Sequence, residues 1–92
     1  MLANRLALVT GAGSGIGNAI ASAFSKQGAN VALVDLSKNL NDLAKEIEDK
    51  CEKKIKASGH VCDVSNSTQV NELFKEIKEK YPSQVPSIIG RV

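Results

Sequence analysis

The stretch Leu6-Ala7-Leu8-Val9-Thr10-Gly11-Ala12-Gly13-Ser14-Gly15-Ile16-Gly17 governs how the rest of the chain is read. A short apolar run stopped by glycine has the pattern of a strand buried on both faces. The residues beyond it, Asn18 to Gln27, read as a helix with Ile16, Ile20, Ala23 and Phe24 on one side and Gly28 as the stop. A strand that passes through glycines into a helix N-terminus presents backbone N–H groups able to receive a pyrophosphate. Gly11 suits the tight turn out of the strand, Gly15 allows close approach of the backbone to a phosphate, and Gly17 lets the helix lie near the sheet. The Ser14 hydroxyl can donate to the same phosphate. A glycine-rich turn without a ligand fits these residues too.

Outward from this point the chain alternates between the two periods. Val31 to Val34 reads as a second strand ending at Asp35. A second helix carries Leu40, Leu43, Ala44 and Ile47 and is entered from Ser37 or Asn39 as cap. Lys56 to Cys62 is a weaker strand, interrupted by Gly59 and running into Asp63-Val64. A third helix follows Ser65-Asn66-Ser67, presents Val70, Leu73, Phe74 and Ile77, and ends at Tyr81-Pro82. Asn66 with Gln69 has the spacing of a capping box. Val85 to Ile89 opens a fourth strand in which Pro86 denies one ladder hydrogen bond. Such alternation, with short connections, predicts an α/β fold with right-handed crossovers and an open parallel sheet in the order 3-2-1-4. Ligands of such sheets bind at the carboxyl ends of the strands where the order reverses, which here is the glycine turn.

Composition narrows the classes. Ninety-two residues make one domain at most, and such a chain buries only a little over ~60% of its unfolded surface. The net charge of +2 is spread as lysines alternating with Glu46, Glu48, Asp49 and Glu52, a solvated helix face rather than a nucleic-acid stripe. Cys51 and Cys62 match neither a redox nor a zinc spacing, so no metal site is expected and both are read as reduced thiols. No apolar run approaches a membrane span, and the first strand begins too early to leave room for a targeting peptide. The expectation is an intracellular protein of the cytoplasm or mitochondrial matrix. His60, on a weak strand without an evident partner, is expected at a surface or edge.

The register of the glycines separates the nucleotide folds. A Walker A loop needs Lys-Ser/Thr after its last glycine, where this chain has Asn18-Ala19. A G-x-G-x-x-G fingerprint started at Gly11 would place its last glycine on Ile16. The motif present is T-G-x-x-x-G-x-G, Thr10 through Gly17, and with it the chain resembles the short-chain dehydrogenase/reductase family over nearly its whole length. Asp35, eighteen residues beyond Gly17, stands where an acid accepts from the adenosine ribose hydroxyls and repels the extra phosphate of NADP. Neither Ser14 nor Leu36 supplies the basic residue of NADP-preferring relatives, and Lys38 alone does not outweigh Asp35. NAD is therefore the expected cofactor. A plain strand-end acid at the next helix N-terminus remains the alternative for Asp35.

The resemblance implies a three-layer Rossmann-type sheet, truncated after the fourth strand, as a single incomplete cofactor domain over residues 1–92. It implies cofactor contacts at Gly11, Ser14, Gly15, Ile16, Gly17, Asp35, Leu36, Asp63 and Val64. In the family the Asp-Val pair touches the adenine; read from the residues alone, Asp63 serves equally well to satisfy backbone donors of the next turn. Within the family the glycine stretch and Pro86-Ser87-Ile88-Ile89 look most like the hydroxysteroid dehydrogenase and 3-oxoacyl-carrier-protein reductase branch. Members carry, further on, an Asn-Asn-Ala-Gly segment, a catalytic serine and a Tyr-x-x-x-Lys pair. Here the sole tyrosine, Tyr81, has Val85 four residues on, so no catalytic residue is assigned. The expectation is an NAD-binding amino-terminal part, inactive alone, whose family oligomer interfaces are missing. The alternatives are a non-catalytic dinucleotide-binding or interaction module and, remotely, a methyltransferase fragment reading Gly11, Gly13 and Gly15 as an S-adenosylmethionine loop.

Overall fold

The computed structural model describes residues 5–90 except 14, 37, 38, 53, 83 and 85, with the backbone alone at residues 16 and 86–90. Ser14, Ser37, Lys38, Val85 and the Ile16 side chain, all named above, thus lie outside the described residues. Strands β1 (Leu6–Thr10), β2 (Asn30–Asp35), β3 (Ala57–Val61) and β4 (Pro86–Gly90) alternate with helices α1 (Gly15–Lys26), α2 (Leu40–Lys50) and α3 (Ser67–Lys80). The sheet is parallel throughout, in the order β3-β2-β1-β4. Thr10 pairs with Val34 and Asp35 with Val61, so the strands finish together at the carboxyl edge.

Strand periodicity divides the core into two layers. Ala7, Val9, Val31 and Leu33 face α1 and α2, where Ala21, Leu40, Ala44 and Ile47 cover them. Leu6, Leu8, Ala32 and Val34 face the other way, onto Leu73, Ile77 and Tyr81. Both faces of the central strands are thereby removed from water, as their continuous apolar runs require. No described helix is long and apolar enough to cross a membrane.

The boundaries follow local chemistry. Helix α1 begins at Gly15, three residues before the expected Asn18, because the last glycines of the turn already form its first turn. It ends in a Schellman arrangement: Gly28 takes φ 92°, its N–H bonds Ser25 O at 2.9 Å, and Ala29 N–H reaches Phe24 O at 3.2 Å. At α2 the cap is Asn39, whose side chain makes no cap hydrogen bond. Helix α3 carries the expected cap at Asn66, whose Oδ1 accepts from Thr68 N–H at 3.0 Å and Gln69 N–H at 3.2 Å. The return half of the capping box is different. Asn66 N–H bonds the Asp63 carbonyl, so Gln69 Oε1 instead takes the N–H of Asp63 at 2.8 Å.

Pro86 stands opposite Leu6, and the register then skips so that Ile88 faces Ala7. A residue without an N–H cannot continue the ladder, and a bulge at the strand entry absorbs the gap. Gly59 in β3 has a packing reason: an added Cβ would come within 2.6 Å of the Leu40 carbonyl carbon and 2.8 Å of Asn41 N.

His60 lies on the edge strand β3, as expected, but not at the surface; it is only 6% exposed. Its register partner is Val34, so it shares with Ser58 the sheet face under α3. Ser58 Oγ meets His60 Nε2 and the Tyr81 hydroxyl, each at 2.8 Å. Tyr81 donates onward to Val31 O at 3.1 Å, and Glu76 closes the chain on His60 Nδ1 at 3.2 Å. Among the described residues no buried side-chain polar atom lacks a partner, so this network makes burial of polar groups at the β3 edge tolerable.

Candidate functional site

The glycine turn is shaped by two requirements. Gly11 has φ 68°, the left-handed region, which lets the chain leave β1 sharply. Gly17 faces the backbone of the same turn: an added Cβ would collide with the Gly11 carbonyl oxygen and come within 2.9 Å of Ala12 Cα. The Gly17 position therefore sets how closely α1 approaches the turn. Gly15 is the opposite case, since a Cβ there would meet nothing within 4 Å. It borders open space at the first residue of α1, where backbone donors have no helical acceptor.

Tertiary hydrogen bonds hold the turn against the sheet. Ala12 N–H bonds Val34 O at 3.2 Å. The Asp35 carboxylate accepts from Gly13 N–H through Oδ2 at 2.6 Å and from Leu36 N–H through Oδ1 at 2.7 Å. Both are short, as expected for bonds to an ionised acceptor. On the far side, Cys62 N–H bonds the Asp35 carbonyl at 3.0 Å and carries the pairing past the last residue of β3.

Between these segments lies a cleft of about 200 Å³ lined by Gly11, Asp35, Leu36, Asp63 and Val64, together with Thr10, Val34 and Cys62. Five of the nine candidate residues thus meet in one place, and Gly15 and Gly17 stand at the start of the adjoining helix. Leu36 and Val64 are 63% and 58% exposed, two apolar side chains of the cleft lining left in water. An apolar group seated against them would relieve that exposure.

Asp63 does what its residues alone allowed: its Oδ1 accepts from Ser65 Oγ at 2.6 Å and from Ser65 N–H at 2.9 Å. Those two bonds, the hydroxyl foremost, hold its carboxyl below the usual range. Cys62 was not among the candidates. Burial, with the Asp63 and Glu76 carboxylates adding, pushes its thiol up, so it lines the cleft as a neutral, inert group. Gly13 was also missed, since its role lies in an N–H that sequence does not distinguish.

Tyr81 lies away from the cleft, buried under α3's end. Burial raises its hydroxyl above the ordinary range, with Glu48 adding and the Ser58 bond opposing. Among the described residues no group of histidine, cysteine and carboxylate side chains could hold a metal ion.

Residues 5–89 match the short chain dehydrogenase family. The chain is 51% identical over 82 residues to 3-hydroxyacyl-CoA dehydrogenase type-2 of Drosophila melanogaster, covering 88% of this chain and 30% of that protein. It is 37% identical over 81 residues to the 3-oxoacyl-[acyl-carrier-protein] reductase of Thermotoga maritima, covering 87% of this chain and 32% of the relative. Among solved structures, L-sorbose reductase from Gluconobacter frateurii, complexed with NADPH and L-sorbose, superposes with a TM-score of 0.84 at 26% identity, over 96% of this chain and 32% of that one. The chain therefore spans about a third of the length of these proteins.

Proposed function

The chain belongs to the short-chain dehydrogenase/reductase family of oxidoreductases, whose Rossmann sheet binds NAD(P), and from that membership we propose that these residues grip the adenosine and pyrophosphate of NAD. The observation that carries the reading is the Asp35 carboxylate at the end of β2, fixed against the glycine turn at the mouth of the cleft. The ribose hydroxyls would donate to Asp35, the adenine would lie between Leu36 and Val64, and the pyrophosphate would face Gly15. Ser14, Ile16, Gly11, Gly17 and Asp63 complete the proposed set. The open space beside Gly15 and the 200 Å³ cleft fit such a group.

NAD is favoured over NADP because the extra ribose phosphate would bring a second negative group against Asp35 without a fixed cation among the cleft residues. A bound nicotinamide cofactor supplies a hydride donor or acceptor; these residues supply its placement. The reaction proposed for a longer protein containing this part is oxidoreduction of a hydroxysteroid or of a 3-hydroxyacyl or 3-oxoacyl substrate. The relatives from Drosophila melanogaster and Thermotoga maritima support the acyl reading. No residue here is proposed as a base, since Tyr81 is committed to Val31 and Ser58 and has no lysine four residues on. The 92 residues alone bind without turnover, which also accommodates a non-catalytic dinucleotide module. Family membership favours a dinucleotide over S-adenosylmethionine.

Calorimetry with NADH, NADPH and S-adenosylmethionine tests this. NADH is expected to bind at least about tenfold tighter than NADPH, the effect of one close like-charge pair near a surface. Equal or tighter NADPH binding refutes the cofactor assignment, and absence of any dinucleotide binding refutes the function. Turnover of a 3-hydroxyacyl substrate by these residues alone would overturn the inactive assignment.

A further inference from the structure

We propose that Asp35 is a positioning residue for the glycine turn, holding it in its binding shape before any ligand arrives. This inference rests on the dinucleotide reading for its consequences, but its physical core concerns the ligand-free chain. Both carboxylate oxygens are engaged by backbone: Oδ2 with Gly13 N–H at 2.6 Å and Oδ1 with Leu36 N–H at 2.7 Å. Gly13 lies twenty-two residues upstream, so the first bond ties the glycine turn to the end of β2, while the second orients the carboxylate. Gly11 and Gly13 lack side chains to pack, and the Ala12-to-Val34 backbone bond is longer, at 3.2 Å. A glycine segment costs more conformational entropy to order than any other, so a charged anchor at Gly13 removes that cost from the binding step.

The same geometry has a chemical consequence. A hydroxyl can donate to a carboxylate that already accepts an N–H, because each carboxylate oxygen has more than one acceptor site. A ribose hydroxyl reaching Asp35 therefore adds a hydrogen bond and leaves the Gly13 bond, and with it the shape of the turn, in place. A phosphate oxygen can only accept, so it would face the carboxylate as a second negative charge. Asp35 thus acts twice, on the turn in the free chain and on the sugar in the complex, and the two actions separate when the sugar has no hydroxyls.

The test uses the full 92-residue chain and its Asp35→Ala and Asp35→Asn variants, each checked for folding by circular dichroism. In the ligand-free state, Gly13 amide exchange is expected to accelerate about ten- to hundredfold in Asp35→Ala, the factor that a hydrogen bond to a charged group confers. Asp35→Asn, which keeps an acceptor oxygen, should recover most of that protection. Unchanged Gly13 exchange in Asp35→Ala overturns the proposal. The second measurement is binding of dideoxyadenosine diphosphate, which lacks the ribose hydroxyls. Removing a carboxylate strengthens binding of this anion if charge alone matters, whereas loss of positioning weakens it. The proposal expects weakening of about tenfold in Asp35→Ala and about threefold in Asp35→Asn; tighter binding in Asp35→Ala overturns it. If wild type binds neither NADH nor the dideoxy compound, the functional reading fails, and Gly13 exchange still decides the role of Asp35.

Discussion

Replacing Tyr81 by phenylalanine removes one oxygen and leaves the ring packed beside Leu73 and Ile77. That oxygen donates to Val31 O at 3.1 Å and meets Ser58 Oγ at 2.8 Å. Ser58 keeps His60 Nε2 as a partner, and the Val31 carbonyl keeps its place in the β2–β3 ladder. A lost hydrogen bond costs about 1 kcal/mol, rising to about 3 where a buried group is left without a partner, which puts Tyr81→Phe at about 1–2 kcal/mol. Tyr81→Ala adds the cavity, for a total of about 3–5 kcal/mol. In a domain of this size 1 kcal/mol shifts the midpoint by about 4–8 °C, so the phenylalanine variant should melt roughly 5–15 °C below wild type.

The alkaline limb distinguishes the hydroxyl from the ring. Burial keeps the Tyr81 phenol protonated in the folded state to higher pH than in the unfolded chain, where it ionises near about 10. Above that pH the unfolded state holds fewer protons, so stability, complete below it, falls as pH rises. Cys62 contributes with the same sign from about pH 8.5 upward. Tyr81→Phe should therefore flatten the limb above pH about 10 and leave the cysteine part intact. Urea melts between about pH 7 and 11 measure both effects. A phenylalanine variant as stable as wild type at neutral pH, or with an unaltered alkaline slope, would show that the buried network contributes nothing.

Gly17→Ala gains helix propensity of about 1 kcal/mol but forces a Cβ into the Gly11 carbonyl, an overpacking cost of about 1–3 kcal/mol or more. A lower urea midpoint and weaker NADH binding are expected, and a stabilised variant contradicts the packing role. Asn66→Ala deletes the acceptor of two N–H groups at the start of α3 and should cost about 1 kcal/mol, read as a lower melting temperature. For Asp63 the sign is opposite to that of Tyr81. Its carboxyl is held below the range of the unfolded chain, about 3.9, so its stabilisation is present above that value and lost as pH falls. Asp63→Asn should flatten the acid limb below about pH 4, and an unchanged acid transition would refute the Ser65 contacts.

Much of the architecture was legible because it is written in short-range periods. Leu6 to Val9 and Val31 to Val34 are apolar without alternation, the pattern of a strand covered on both sides, and they lie at the centre of the sheet. The glycine register was equally local: a left-handed Gly11 and a close-packed Gly17 leave their mark as missing side chains. The burial of His60 on its edge strand was not legible because burial of a polar residue depends on partners far along the chain. Tyr81 and Glu76, which make its place under α3 tolerable, stand twenty-one and sixteen residues away. Gln69 went astray for the related reason that Asn66 N–H was already taken by Asp63.

Residue identity by itself determined that strands and helices alternate, which faces are apolar, and that a glycine turn enters α1, since these follow from steric and solvation preferences within a few residues. Tertiary structure alone decided that Asp35 holds Gly13, that Leu36 and Val64 line one cleft, and that Ser58, His60 and Tyr81 share a buried network. Each of those depends on hydrogen bonds and contacts between segments brought together only by the register of the sheet.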